Sequence, residues 1–359
     1  MKLVKNGSPL VVYSSFTEYK NCFFSMCLSG FVSFGQRQRI VHFSHVSFSK
    51  FLSNCININQ NLYYNMNFQK SINISSNLLI IDSCTFFQIF SSAVICNSYD
   101  INVGVKKSFF EKCISTDSGG GMNLVSNSSI IYNCCFILCK CGNDVKWGSG
   151  FRSDSKSVID FSSSSAHLCP KVPDQSWEIS FDMICPVILT RNINVSDCNH
   201  QYVGGINTKS SGKCDVGYST MIRLNTGYSL GIWVLSGQQI AHHLNFIESN
   251  NTAIIRTIFS DCLVQDSVIS RCIGAIADYY VDQIGKVALI NCSIDTANPS
   301  PGRALISTIS CVFYPNNRTL NSIQILIQQC GTNPFTKTRR SVSYYFTVLS
   351  IHFISIFIM

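Results

Sequence analysis

Leu79-Ile80-Ile81-Asp82-Ser83-Cys84-Thr85-Phe86 and Ser129-Ile130-Ile131-Tyr132-Asn133-Cys134-Cys135-Phe136 state one phrase twice: an apolar run, a polar step, then cysteine and phenylalanine. Val105-Lys106-Lys107-Ser108-Phe109-Phe110-Glu111-Lys112-Cys113 is a looser copy between them. The phrase is part of a wider pattern. Of the 19 cysteines, 14 follow a large apolar residue by three positions, as in Tyr19 to Cys22, Phe24 to Cys27 and Ile327 to Cys330. The pattern returns at regular intervals. Cys55, Cys84 and Cys113 are 29 apart, as are Cys169 and Cys198, while Cys272, Cys292, Cys311 and Cys330 follow at 20, 19 and 19. Self-similarity at such periods marks a solenoid, in which each repeat buries its apolar face only against its neighbours.

The runs between cysteines give the secondary structure. Ile56-Asn57-Ile58-Asn59-Gln60 and Ser71-Ile72-Asn73-Ile74-Ser75 alternate apolar with polar, the period of a strand with one buried face. Polar steps such as Asp117-Ser118-Gly119-Gly120-Gly121 read as turns. Few stretches carry a helical period. The fold expected is all-β, a right-handed parallel β-helix over residues 1–335. About a dozen coils stacked roughly 4.8 Å apart would make a rod roughly 60 Å long. Its narrow interior would hold Phe, Ile and Cys. Residues 146–190, with Ser162-Ser163-Ser164-Ser165 and Pro170, Pro173 and Pro186, read as the least regular part. The structural repeat positions are Cys22, Cys27, Cys55, Cys84, Cys113, Cys134, Cys139, Cys198, Cys262, Cys272, Cys292 and Cys330. If Phe-x-x-Cys marks one fixed point of the coil, Cys55, Cys84 and Cys113 should be buried in one column. Buried thiols pack as small hydrophobes. Mostly packed thiols with some disulfides are expected, rather than a fully bridged ladder.

Together, aromatic-x-x-Cys, the Gly-Gly-apolar elements Gly120-Gly121-Met122 and Gly204-Gly205-Ile206, and the Phe-x-x-Asn elements Phe51 to Asn54 and Phe313 to Asn316 carry a resemblance. The chain resembles the right-handed β-helix surface proteins of trichomonad protists and the chlamydial polymorphic outer-membrane proteins, from about residue 20 to 330. It departs from the latter in lacking an intact Gly-Gly-Ala-Ile. The resemblance implies a surface-exposed adhesive or antigenic stalk, with a host or surface protein or a glycan as partner, and it carries over no catalytic residues.

The charge pattern sets limits on function. Only 13% of residues are charged, and the formal net charge of +8 is scattered. Nucleic-acid binding would want a clustered basic stripe, so no nucleic-acid partner is expected. Polysaccharide lyases and glycoside hydrolases also use β-helices, and need clustered acids. The closest groups here are Asp261 with Asp266 and Asp278 with Asp282, which read as solvated turn residues. Cys134, Cys135, Cys139 and Cys141 form the tightest thiol group, but strand alternation would send neighbours to opposite faces, which disfavours zinc. His42-Phe43-Ser44-His45 and His242-His243 have no acid constellation beside them in sequence. No metal, cofactor or catalytic residue is expected. The expected role is structural, adhesive or interactive, the alternatives being a carbohydrate-active enzyme and an intracellular repeat scaffold.

Sequons at Asn73, Asn127, Asn194, Asn250, Asn291 and Asn317 are candidate glycosylation acceptors. Met1-Lys2-Leu3-Val4-Lys5-Asn6-Gly7 is not followed by the apolar run of a signal peptide. At the other end, Ser341 to Met359 is uncharged and follows Lys337, Arg339 and Arg340. Residues 337–359 thus read as a basic flank and an apolar tail, whose 19 residues as a helix would measure about 28 Å, near the thickness of a bilayer core. Localisation at a membrane or cell surface is the expectation.

Overall fold

The computed structural model of the protein describes residues 2–4, 11–12, 16–25, 33–34, 40–52, 55–59, 77–141, 148–169, 179–200, 203–234, 238–258, 261–279, 286–296 and 305–313. The Cys27, Cys330, Asn73 and Asn317 positions, the Phe-x-x-Asn asparagines and the apolar tail lie outside them. The described chain is all-β, and its strands pair in parallel as a β-helix.

Three ladders run along the rod. The first begins with Phe16–Lys20, Ile40–Ser44, Asn77–Asp82 and Ile101–Lys106, and continues in register to Leu305–Ile309. The second is shorter in each coil and includes Ser47–Phe51, Thr85–Ile89, Phe109–Cys113, Cys135–Ile137 and Ser165–His167. The third includes Ile56–Asn59, Val94–Asn97, the start of Met122–Tyr132 and the start of Phe151–Ser162. Through the stretch read as irregular the repeat continues. Phe151–Ser162 pairs with both neighbouring coils, and Val187–Arg191 keeps the register of the first ladder.

Between the first and second ladders the chain turns a corner in two residues. The first of them has a positive φ: His45, Ser83, Lys107, Asn133, Ser163, Asn192, Tyr218, His243 and Asp266 all fall at this point. The left-handed conformation ends strand alternation and swings the next residue inward. That residue is Cys22, Val46, Cys84, Ser108, Cys134, Ser164, Ile193, Ser219, Leu244, Ser267, Cys292 or Cys311 in successive coils. Five residues later a second corner repeats the device. Lys50, Gln88, Lys112, Leu138, Leu168, Asp197, Arg223, Glu248 and Arg271 take positive φ, and Phe51, Ile89, Cys113, Cys139, Cys169, Cys198, Leu224, Ser249 and Cys272 turn in. The apolar-x-x-Cys motif can therefore mark either of two corners in a coil, and Cys134 with Cys139 marks both.

This geometry corrects the column expected for Cys55, Cys84 and Cys113. All three are buried, but they occupy different columns. Cys84 sits at the first corner and Cys113 at the second, while Cys55 starts the third ladder beside Ala93. The interval of 29 between Cys84 and Cys113 is one coil of 24, from Cys84 to Ser108, followed by the five-residue side. The coils themselves vary from 19 residues, Cys292 to Cys311, to 38, Val46 to Cys84.

Where a corner holds serine or cysteine, its side chain takes part in hydrogen bonding along the rod. The N–H of one corner then donates to the corner side chain of the next coil. Cys84 N–H donates to Ser108 Oγ at 3.2 Å, Cys134 N–H to Ser164 Oγ at 3.0 Å, and Leu244 N–H to Ser267 Oγ at 3.0 Å. At the second corner Cys139 N–H donates to Cys169 Sγ at 3.2 Å and Cys169 N–H to Cys198 Sγ at 3.4 Å. The same side chain donates to the carbonyl two residues back, as Ser164 does to Ser162 and Cys134 to Tyr132. Serine and cysteine thus do one job here.

The interior is filled by stacked rings. Phe24, Phe48, Phe86, Phe110 and Phe136 lie one above another along the second ladder, with centroids 5.4, 4.9, 4.7 and 4.9 Å apart. Each such contact contributes about 0.5–1.5 kcal/mol beyond its area. The next place in that column is Ala166. There Phe151, Phe161 and Phe181 enter from the other ladders and cross edge to face or tilted. Gly121 makes room for this packing, since a Cβ on it would lie 2.8 Å from the Phe136 ring.

The corner argument has a direct test. Ser164→Ala should cost about 1–3 kcal/mol, because the buried Cys134 N–H loses its acceptor. Ser164→Cys, which keeps a weak acceptor and donor, should cost less. Urea midpoints of the two variants measure the order, and equal losses would remove the side-chain pairing from the account.

Candidate functional site

The outer surface pairs its polar groups along the rod axis. Partners lie about one coil apart in sequence: Glu18 with His42, Asp82 with Lys106, Asp197 with Arg223, Asp215 with His242 and Glu248 with Arg271. Amides follow the same rule. Asn127 donates to Asn102 at 2.9 Å, and Asn291 donates to Asp266 at 2.5 Å. His42 and His242, which have no acid beside them in sequence, therefore acquire one through the coil. The paired acids Asp261 and Asp266 likewise serve neighbours one coil on, Asp261 accepting from the Lys286 N–H at 3.3 Å. Asp282 lies outside the described residues.

The strongest of these contacts centres on Asp197. Arg223 grips it with two hydrogen bonds, of 2.6 and 2.8 Å, and His167 approaches at 3.3 Å. Burial works against its charge, but the hydrogen bonds from His167 and Arg223 outweigh it and hold the carboxyl well below its usual range. On the third ladder Asp182 is buried, accepts from Asn207 Nδ2 at 2.8 Å and lies 3.6 Å from Arg152. There burial wins and its pKa rises.

Two arrangements look like chemistry. Ser180 Oγ lies 2.9 Å from His200 Nε2, the contact by which an imidazole activates a nucleophile. Both side chains are buried, however, and Ser180 also reaches the Cys169 and Gly204 carbonyls. Burial lowers the His200 pKa to about 3, so it stays neutral inside the rod. The pair braces the wall. A cavity of about 270 Å³ lies between Tyr99, Asp154, Lys156, Pro186, Lys209 and Ser211. That is just under the range of about 300–1,000 Å³ typical of small-molecule pockets.

Nearly all of the described repeat cysteines are buried in the rod. Cys84, Cys113, Cys134, Cys139, Cys198, Cys272 and Cys292 stand at corners inside the rod, Cys22 stands half-buried at one end, and Cys262 lies within the first ladder. Of the 17 described cysteines, 16 are free thiols and Cys135 is disulfide-bonded, so thiols predominate, with at least one disulfide. Burial pushes the thiols of Cys84, Cys96, Cys134 and Cys214 up to about 12. Cys134 and Cys139, neighbours in sequence, belong to different corners, and among the described residues no three His, Cys, Asp or Glu side chains converge as metal ligands. Cys169 was absent from the sequence-derived repeat positions, although it completes the four-coil column Cys113, Cys139, Cys169 and Cys198. The five-residue spacing seen in Cys134–Cys139 and Cys22–Cys27 is the signal that would have exposed the two-corner coil.

Among the sequons, Asn250 and Asn291 are exposed and Asn127 is half-buried. Asn194 is buried within the second ladder, so a glycan there would have to displace the packing around it.

Two outcomes are expected. At pH 8 a thiol reagent should modify Cys22 and Cys311, which are half-buried, before the other described thiols, which should react only on unfolding; mass mapping of labelled peptides reads this. Asp197→Asn should lower the unfolding midpoint at neutral pH. The folded carboxyl has a depressed pKa, so its contribution is present above the ordinary carboxylate value of about 4 and fades as pH falls through the folded one. The gap between wild type and variant should therefore close on acidification. Comparisons with protein-family models, curated proteins and solved structures found no match.

Proposed function

We propose that the chain is a non-enzymatic β-helix rod displayed at a membrane or cell surface, with a structural, adhesive or interaction role. The observation that carries the reading is the use of the outer polar groups. Acids, histidines and amides bond the next coil, so they set register and present a regular polar wall. Isolated surface pairs contribute only about 0–1 kcal/mol each, and their regular recurrence suits a surface built to be held in shape. The resemblance to trichomonad and chlamydial surface repeats supports the same reading, as does the apolar run Ser341 to Met359. That tail would bring the rod to a membrane, while a surface protein or a glycan would meet its side.

Labelling of intact cells with an impermeant reagent, with and without the last 19 residues, tests the reading. Labelling of the full chain that disappears on truncation is the expected result. A chain shielded in both forms would favour the intracellular scaffold. New reducing ends or unsaturated products from polygalacturonate incubated with the purified protein would favour the enzyme.

A further inference from the structure

His242 and His243 are neighbours in sequence, and in a strand their side chains would point to opposite faces. Here they meet. His242 is the last residue of the first-ladder strand Gln238–His242, and His243 takes a φ of 52° at the corner, which turns its ring to the same side. The two Nδ1 atoms are 3.0 Å apart. His242 Nε2 lies 3.0 Å from Asp215 Oδ1 one coil below, so its proton is held there and its Nδ1 lone pair faces His243. Arg191 takes the other Asp215 oxygen at 3.5 Å.

The neighbouring coil is shaped around these rings. Gly217 pairs with His242 in the ladder, and a Cβ on it would lie 2.5 Å from His242 Nε2. A Cβ there would force the ring to shift from its place beside Asp215. Tyr218, which holds the corner position of His243 one coil below, stacks on the His243 ring at 4.6 Å. Tyr218 is 48% exposed and His242 20% exposed, so solvent reaches the cluster.

We propose that His242 and His243 form a two-imidazole site for a divalent first-row transition metal of the copper and nickel class, with Asp215, Gly217 and Tyr218 as positioning residues. Metal–nitrogen bonds of about 2.0–2.1 Å across a 3.0 Å separation give an N–metal–N angle of about 95°. A tetrahedral ion would want about 3.3–3.4 Å, whereas square-planar or octahedral ions want the smaller angle. Without metal the two nitrogens share a hydrogen bond, His243 Nδ1–H donating to His242. Binding moves that proton to the outward Nε2 of His243, so both Nδ1 lone pairs become ligands and no net proton leaves a neutral pair. Since no third His, Cys, Asp or Glu converges among the described residues, water fills the remaining positions. Asp215 then supplies the carboxylate behind a ligating imidazole that fixes its tautomer and ring orientation.

Calorimetric titration of the full-length chain with Ni²⁺ tests the proposal. One equivalent should bind saturably. His242→Ala and His243→Gln should each weaken binding at least tenfold, with circular dichroism unchanged. Asp215→Asn and Gly217→Ala should weaken it by about tenfold or more through the displaced ring, and His45→Ala, in the same column of the rod, should leave it unchanged. No saturable binding by wild type, or binding untouched in His243→Gln, would overturn the site and leave only the hydrogen-bonded pair.

Discussion

Every coil must turn inward at a place where a backbone N–H can no longer join a ladder, and that N–H is buried. Leaving it unpaired would cost about 1–3 kcal/mol at each corner, repeated along the rod. At the serine and cysteine corners the solution is a residue in the left-handed conformation followed by a small side chain that accepts from the coil before it. Cys134 N–H to Ser164 Oγ and Cys139 N–H to Cys169 Sγ are two instances of one arrangement. It explains why ten of the described cysteines stand at corners. It also explains why serine replaces cysteine freely along one column.

The corner constraint fixes one side of the coil and frees the rest. Five residues separate the two corners in nine successive coils, from Val46–Phe51 to Ser267–Cys272. The ring stack from Phe24 to Phe136 follows that short side because it alone has an invariant length. Variation in length falls elsewhere, between the second corner and the following first ladder, where the coil absorbs the difference between 19 and 38 residues.

The architecture is legible in the sequence because alternation and recurrence are local signals. Strand runs such as Leu79 to Asp82 show their buried face directly. Column membership is not local. Cys84 and Cys113 carry the same motif in sequence, yet one marks the end of the first ladder and the other the end of the second. The outer pairs are hidden for the same reason. Glu18 and His42 are 24 residues apart, His167 and Asp197 are 30, and Asp215 and His242 are 27, so no fixed spacing announces them. Only the left-handed φ at His243, which no residue-type pattern encodes, brings two adjacent imidazoles to one side.

The hydrogen bonds of all three ladders run parallel to the rod, since each strand pairs with the coil above and the coil below. A force along the axis would therefore load one coil-to-coil seam at a time, in an unzipping geometry. Such a rod would lengthen in steps, each releasing between 19 and 38 residues of chain, instead of failing at once. Because the short side keeps its length from coil to coil, a coil that came loose would meet its neighbour in the same register. The β-helix would then act as a compliant tether, dissipating load while keeping the order of its surface.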